Sequence, residues 1–214
     1  MKIALIGATG FVGTAVLNEA LSRGHQVTAI ARNTSKLAAD TPDLVVKEAD
    51  AYNITELTPA IAGNDAAVSA FNSGWTNPNI YDDFIKGSET IQQATKLAGV
   101  KRLLVVGGAG SLEIKPGEQL VDRPSFPAEW KNGALAARDY LNTLRTETDL
   151  DWTFLSPAIH LHPGERTGKF RLGTDSPVFD DKGQADISVE DMAVAIVDEL
   201  EQGQFIKRRF TLGY

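Results

Sequence analysis

Lys2-Ile3-Ala4-Leu5-Ile6-Gly7-Ala8-Thr9-Gly10-Phe11-Val12-Gly13 decides the fold. A short apolar run enters three glycines spaced G-x-x-G-x-x-G. Phe11–Ser22 then carries Phe11, Ala15, Leu17 and Leu21 at helical spacing before Arg23-Gly24-His25 supplies a stop. A strand that turns through glycine into a helix is a phosphate cradle. Glycine lets the backbone turn sharply and approach a ligand, while the unpaired amides and dipole of the helix start offset negative charge. Gly7, Thr9, Gly10, Phe11, Val12 and Gly13 are therefore the expected contacts to the diphosphate of a dinucleotide. A tight strand-to-helix turn without a ligand is the competing reading.

Outward from this loop, short β-branched apolar runs alternate with amphipathic, helix-length segments. Strands are predicted at Lys2–Ile6, Gln26–Ala31, Leu44–Glu48, Ala66–Ala70, Arg102–Val106 and Trp152–Leu155, and long helices at Ile80–Ala98 and Ala128–Thr146. This order predicts an α/β, Rossmann-like, doubly wound and mostly parallel sheet with helices on both faces, in one domain over 1–214. Residues 157–187 are rich in Gly, Pro, Asp and charge, and are expected to form a substrate-side loop or lid. Ser188, three residues before Asp191, looks like a helix cap, Gln202-Gly203 ends that helix, and Arg209–Leu212 is expected as an edge strand.

With 43% hydrophobic and 23% charged residues, the 214-residue chain has an ordinary globular composition, which sets aside disorder and coiled-coil or collagen-like architectures. Its 21 basic and 28 acidic side chains give a net charge of −7, unfavourable for nucleic acid or anionic lipid. The absence of cysteine removes disulfides, thiolate nucleophiles and cysteine metal sites. No apolar run is long enough to cross a bilayer and the N-terminus makes a poor signal peptide, so the expectation is a cytoplasmic protein, monomer or homodimer, acting on a small molecule.

An NAD site usually places Asp or Glu at the end of the second strand, where it accepts the ribose hydroxyls. Ala31-Arg32-Asn33 stands there, with Lys36 close by. A guanidinium forms charge-assisted bonds to a 2′-phosphate, so NADP(H) is favoured over NAD(H); an Arg32 that merely solvates a loop is the alternative.

The chain resembles the atypical short-chain dehydrogenase/reductase group, in its NAD(P)H-binding, NmrA-like branch of flavin-reductase-like proteins. The resemblance lies in Ile6 to Gly13, Ala31-Arg32-Asn33, Val105-Val106-Gly107-Gly108-Ala109-Gly110-Ser111, Asp151-Trp152-Thr153 with Ser156-Pro157-Ala158, and Pro163-Gly164-Glu165-Arg166-Thr167-Gly168. It implies that Asp50 and Ala51 lie near the adenine, and that Ala70, Phe71 and Asn72 cover the middle of the cofactor. It also places Gly107 and Gly108 beneath the nicotinamide ribose, Pro157 near the carboxamide and Ser111 near the substrate. Phe71 as core and Asp50 as a helix cap are the alternatives.

Many members of that superfamily use Y-x-x-x-K, in which the lysine lowers the tyrosine pKa for proton exchange with a carbonyl. Here Tyr81 is followed by Ile85 and Tyr140 by Leu144, and alignment with relatives puts Trp130 and Ala134 at the two positions. Hydride transfer to a flavin or quinone needs stacking more than an acid, because the product anion is delocalised and solvent supplies the proton. Trp75, Trp130 and Phe126 are candidate platform residues, and His160 or His162 a candidate proton source. His160, His162 and Glu165 form no recognisable closed ligand set, so no metal is expected. Glu165, Arg166, Lys169 and Arg171 read as a solvated lid or an anion clamp, and Asp82-Asp83 and Asp180-Asp181 as surface pairs. The leading reading is an NADPH-dependent reductase of a flavin, quinone or similar acceptor. A non-catalytic NADP(H) sensor and a sugar-nucleotide epimerase or dehydratase are the alternatives.

Overall fold

The computed structural model describes residues 1–37 and 41–214. In chain order the elements are β1 (Lys2–Ile6), α1 (Phe11–Ser22), β2 (Gln26–Ala31), β3 (Leu44–Glu48), α2 (Ile54–Ile61), β4 (Ala66–Ser69), α3 (Ile80–Leu97), β5 (Arg102–Val106), β6 (Glu113–Lys115), β7 (Glu118–Gln119), α4 (Ala128–Leu144), β8 (Asp151–Leu155), β9 (His160–His162), β10 (Arg171–Gly173), β11 (Asp186–Ser188), α5 (Val189–Gln202) and β12 (Arg208–Gly213). Eight strands form one sheet in the order β10-β12-β8-β5-β4-β1-β2-β3. All of its pairings are parallel except β10 on β12.

From β1 the chain builds outward through β2 and β3, then returns to the other side of β1 with β4 and continues through β5, β8 and β12. The reversal between β1 and β4 opens a crevice at the carboxyl ends of the strands, the place where such sheets take ligands. Alternate residues of each strand are buried on opposite faces. Ile3, Leu5, Val27, Val68, Leu104, Phe210 and Leu212 meet α1 and α5 on one side. Ala4, Ile6, Ile30, Leu103, Val105 and Phe154 meet α2, α3 and α4 on the other. Burial on both faces is why the strands read as continuous apolar runs rather than alternating ones.

Several expectations are corrected. The buried face of α1 is Gly13, Val16, Leu17, Glu19 and Ala20, while Phe11 is 51% exposed, because α1 is sandwiched between the sheet and α5 along its 13/16/17/20 stripe. The last strand is not an edge: Arg171–Gly173 pairs antiparallel with it and takes that place. Residues 157–187 accordingly carry β9, β10 and the start of β11, with β9 and β11 pairing parallel beside the main sheet. The sequence reading missed α2, whose start is capped by Asn53 Oδ1 accepting from the Thr55 and Glu56 amides. At α5 the expected cap is present: Ser188 Oγ accepts the Asp191 N–H at 3.0 Å, and Gly203 closes the helix at φ +63.

Candidate functional site

Gly7 sits at φ +81, donates its N–H to Ile30 O at 3.0 Å, and accepts from the Gly10 N–H at 3.0 Å. A Cβ on Gly7 would lie 2.6 Å from Ala70 O, and one on Gly13 would lie 2.0 Å from Gly7 O. The loop, the end of β4 and the first turn of α1 are thus interlocked at backbone contact, which only glycine permits. Gly10 caps α1 without a side-chain hydrogen bond, and the first turn holds no acidic residue. The amides at Phe11, Val12 and Gly13 therefore start a helix with no internal anion to satisfy them. A diphosphate fits this cradle in both shape and charge.

At the carboxyl end of β2, Arg32, Asn33 and Lys36 are exposed, and Asn33 Oδ1 accepts the Ser35 N–H at 2.9 Å, shaping the turn that carries them. Tyr52 lies in the same field. Burial, Asp83 and Asp50 push its hydroxyl pKa up, while the positive charge of Arg32 opposes them. Lys86 Nζ sits 5.8 Å from the centre of the Tyr52 ring. Sequence reasoning missed Tyr52 and Lys86, although Tyr52 directly follows Asp50-Ala51. Asp50 itself builds the entry to α2: its carboxylate accepts the Tyr52 N–H at 3.0 Å and its own amide donates to Glu56 at 2.9 Å. Ala51 is buried.

Beyond β4, Ala70 bonds to Ile6 O at 2.9 Å, and Asn72 Oδ1 accepts the Gly74 N–H at 2.7 Å. Phe71 packs edge-on to Tyr52 at 5.7 Å and stacks on Phe84 at 6.1 Å. Gly87 of α3 makes room for its ring, so Phe71 joins the α3 side of the core. Gly107 ends β5 directly over the Phe154 ring, where a Cβ would lie 1.8 Å from Cζ. Pro157 is half-buried just beyond β8, following Ser156, whose buried Oγ has no hydrogen-bond partner among the described residues.

Trp75 and Trp130 are 56% and 52% exposed. They share the start of α4: the Trp75 ring lies against Gly133, where a Cβ would come within 2.8 Å of it, and Trp130 is one turn earlier on the same helix. Phe126 is half-buried. Ala134 is buried against Gly110. Ser111 is buried, and its carbonyl and hydroxyl oxygens both accept from Arg209, at 2.8 and 3.2 Å.

The histidines are separated by their surroundings. His160 is exposed, whereas His162 has an oxygen at each ring nitrogen: Pro163 O at 2.8 Å from Nδ1 and Asp186 Oδ1 at 3.0 Å from Nε2. Those acceptors, Pro163 O first, raise its pKa. In the charged segment Glu165, Arg166, Lys169 and Arg171 are exposed to solvent, yet its backbone and Arg166 are tied down. Arg166 forks onto Glu19 of α1 at 2.6 and 2.8 Å, and buried Asp191 accepts the Thr167 and Gly168 amides at 2.8 and 2.7 Å. The Glu19 carboxyl is held below the usual range, chiefly by Arg166, against the upward push of burial. A surface groove of about 530 Å³ shares Thr9, Gly10 and Phe11 with the glycine loop but runs down the outer side of α1 to Ser22 and Arg166. It does not cross the strand ends. Among the described residues no helix is long and apolar enough to cross a membrane, and no three His, Asp or Glu side chains are grouped to hold a metal ion.

The profile of a family described as NAD(P)H-binding matches residues 7–203. The uncharacterized protein YwnB of Bacillus subtilis is 38% identical over 99% of this chain and 98% of its own length. A crystal structure of a proposed epimerase from Bacteroides thetaiotaomicron is 48% identical, covering 100% of this chain and 96% of that one, with a TM-score of 0.93. A proposed NADH-flavin reductase from Streptococcus pneumoniae is 39% identical, covering 100% and 99%, with a TM-score of 0.87. With a glycine cradle at the switch point of a doubly wound sheet, this chain belongs to the NAD(P)H-binding family, within the atypical short-chain dehydrogenase/reductase group and its NmrA-like branch.

Proposed function

We propose that the protein is an NADPH-dependent reductase that passes hydride to a flat conjugated acceptor, a flavin or a quinone. The observation that carries this reading is the interlocked Gly7–Gly13 cradle beneath an uncapped helix start. In that role the first-turn amides of α1 hold the diphosphate, and Arg32, with Lys36 near it, receives the 2′-phosphate. Asp50, Ala51 and Tyr52 border the adenine, and Ala70 and Asn72 the middle of the crevice. Gly107, which admits nothing larger than hydrogen over the Phe154 ring, and Pro157 floor the nicotinamide end. The bound dinucleotide supplies the hydride.

Trp75 and Trp130 form an apolar shelf against which a planar acceptor can stack while water is excluded. Residues 157–187 act as the lid of the acceptor end, with a base pinned by Asp191 of α5 and with Asp175 O bonded to the Glu113 N–H beyond β5. Trp130 and Ala134 on α4 supply no acid, which favours an acceptor whose reduced form is a delocalised anion over a simple ketone or a sugar-nucleotide. The test is calorimetric titration with NADPH and NADH, followed by NADPH oxidation with FMN, FAD and quinones. Turnover of at least one acceptor, with tighter binding of NADPH than NADH, is expected. Binding without turnover across the panel refutes the reductase and favours a non-catalytic NADP(H) sensor, the reading that the buried, Arg209-bound Ser111 also supports.

A further inference from the structure

Arg209 is a buried cation that the crevice contacts described above leave without a role. It lies on β12, in register with Phe154 of β8, and its side chain is 3% exposed. A buried guanidinium is expensive unless every N–H is bonded and its charge is paired. Here the bonds go to two loops and to no neighbouring strand. Nη1 donates to Ser111 O and Oγ at 2.8 and 3.2 Å. Nε donates to Asp175 Oδ1 at 3.1 Å, and Nη2 to the same carboxylate oxygen and to Asp175 O.

Ser111 closes the turn that follows Gly107 and Gly108 at the end of β5. Asp175 belongs to the lid segment, and its carboxylate is 58% exposed, so the counter-charge arrives from outside the core. Two further features bring that segment in. Asp175 O accepts the Glu113 N–H at 2.7 Å. Gly173 and Gly213 lack side chains where Val178 crosses them, a Cβ on either coming within 2.8 Å of Val178.

We propose that Arg209 is a positioning residue of the acceptor end: it staples the lid segment 174–178 to the turn after β5, so that filling the crevice orders the lid. The proposal rests on the reductase reading for its effect on turnover but not for the coupling itself. Arg209 acts through Ser111 and Asp175 and touches neither reactant. Because the fork engages a carbonyl, a hydroxyl and a carboxylate in one plane, lysine cannot reproduce it.

Amide hydrogen exchange, read by mass spectrometry with and without NADPH, is the deciding measurement, on wild type, Arg209→Gln, Arg209→Lys and Asp175→Asn. In wild type, NADPH slows exchange in both 107–113 and 174–178. In R209Q it still slows 107–113, but 174–178 exchanges about tenfold faster and no longer responds. R209K and D175N, the latter keeping an Oδ1 acceptor for the guanidinium while removing its counter-charge, move the same way by less. In turnover with FMN or menadione, R209Q raises the acceptor KM about tenfold and leaves the NADPH Kd within about twofold. Persistent NADPH protection of 174–178 in R209Q, or in D175N should R209Q not fold, overturns the staple. So does a loss of NADPH affinity that parallels the acceptor effect. A wild type that binds NADPH but reduces no acceptor refutes the reductase reading alone, since the exchange result still decides the coupling.

Discussion

Gly13→Ala puts the cofactor cradle to its most direct test. The added Cβ would lie 2.0 Å from Gly7 O, 2.8 Å from Gly7 C and 3.0 Å from Ala8 Cα, all backbone atoms that cannot swing aside. The nearest approach is more than an ångström short of ordinary contact, so α1 must back away from the loop and carry its first-turn amides with it. Overpacking of this kind costs about 1–3 kcal/mol. Taking the middle of that range, NADPH affinity falls by about 30-fold. If the strain were instead retained in the folded protein, the melting temperature would drop by about 4–8 °C for a domain of this size. Gly24→Ala is the control: unlike Gly13, Gly24 has positive φ (+76), but no atom lies within 4 Å of its Cβ direction. It therefore loses stability through backbone strain alone and leaves binding unchanged. Calorimetric titration of both variants with NADPH, alongside their melting curves, reads the two effects separately. A folded Gly13→Ala protein that binds NADPH within threefold of wild type would falsify the cradle.

Arg32→Ala should weaken NADPH binding by about 10- to 100-fold, the worth of charge-assisted bonds to a phosphate, and leave NADH binding unchanged; equal losses for both dinucleotides would contradict a 2′-phosphate contact. Burial pushes the Glu147 carboxyl up, but the Asp149 amide, Gln92 and Lys96 outweigh it and bring the pKa down to about 2. A depressed carboxylate stabilises the fold above its ordinary pKa of 4.5 and loses that contribution as pH falls toward 2. Denaturant melts should therefore show Glu147→Gln less stable than wild type by about 2–3 kcal/mol at neutral pH, with the gap closing between pH 4.5 and 2. His162 has the opposite sign. Its raised pKa adds stability below its ordinary value, and this is lost as pH rises through the folded one; NMR titration of Asp186→Asn should show the His162 pKa drop, and an unchanged value would remove the Asp186 contact from the account.

The elements that sequence made legible are those whose signal is local. β1, β2, β3, β5 and α1 fall at their expected boundaries because each is a β-branched run, or an amphipathic repeat, bracketed by glycine or a cap. The same locality fixed the cradle, since three glycines and a helix start lie within seven consecutive residues. The segment after β8 was opaque for the opposite reason: β9, β10 and β11 are held by partners 26–42 residues away in the chain, Asp186 beside His160 and Gly213 beside Arg171. Composition there reports only that no local preference dominates.

Sequence by itself determined the alternation of strand and helix, the glycine turn and the absence of a Tyr-Lys pair, because these depend on residue type and short spacing. Tertiary structure alone decided that Arg166 belongs to Glu19, that Phe71 turns into the α3 packing rather than standing free, and that Ser111 is buried beneath Arg209. A charged or aromatic side chain takes its partner from whatever the packed chain brings within reach, and the chain between Ser111 and Arg209, 98 positions apart, carries no trace of that meeting.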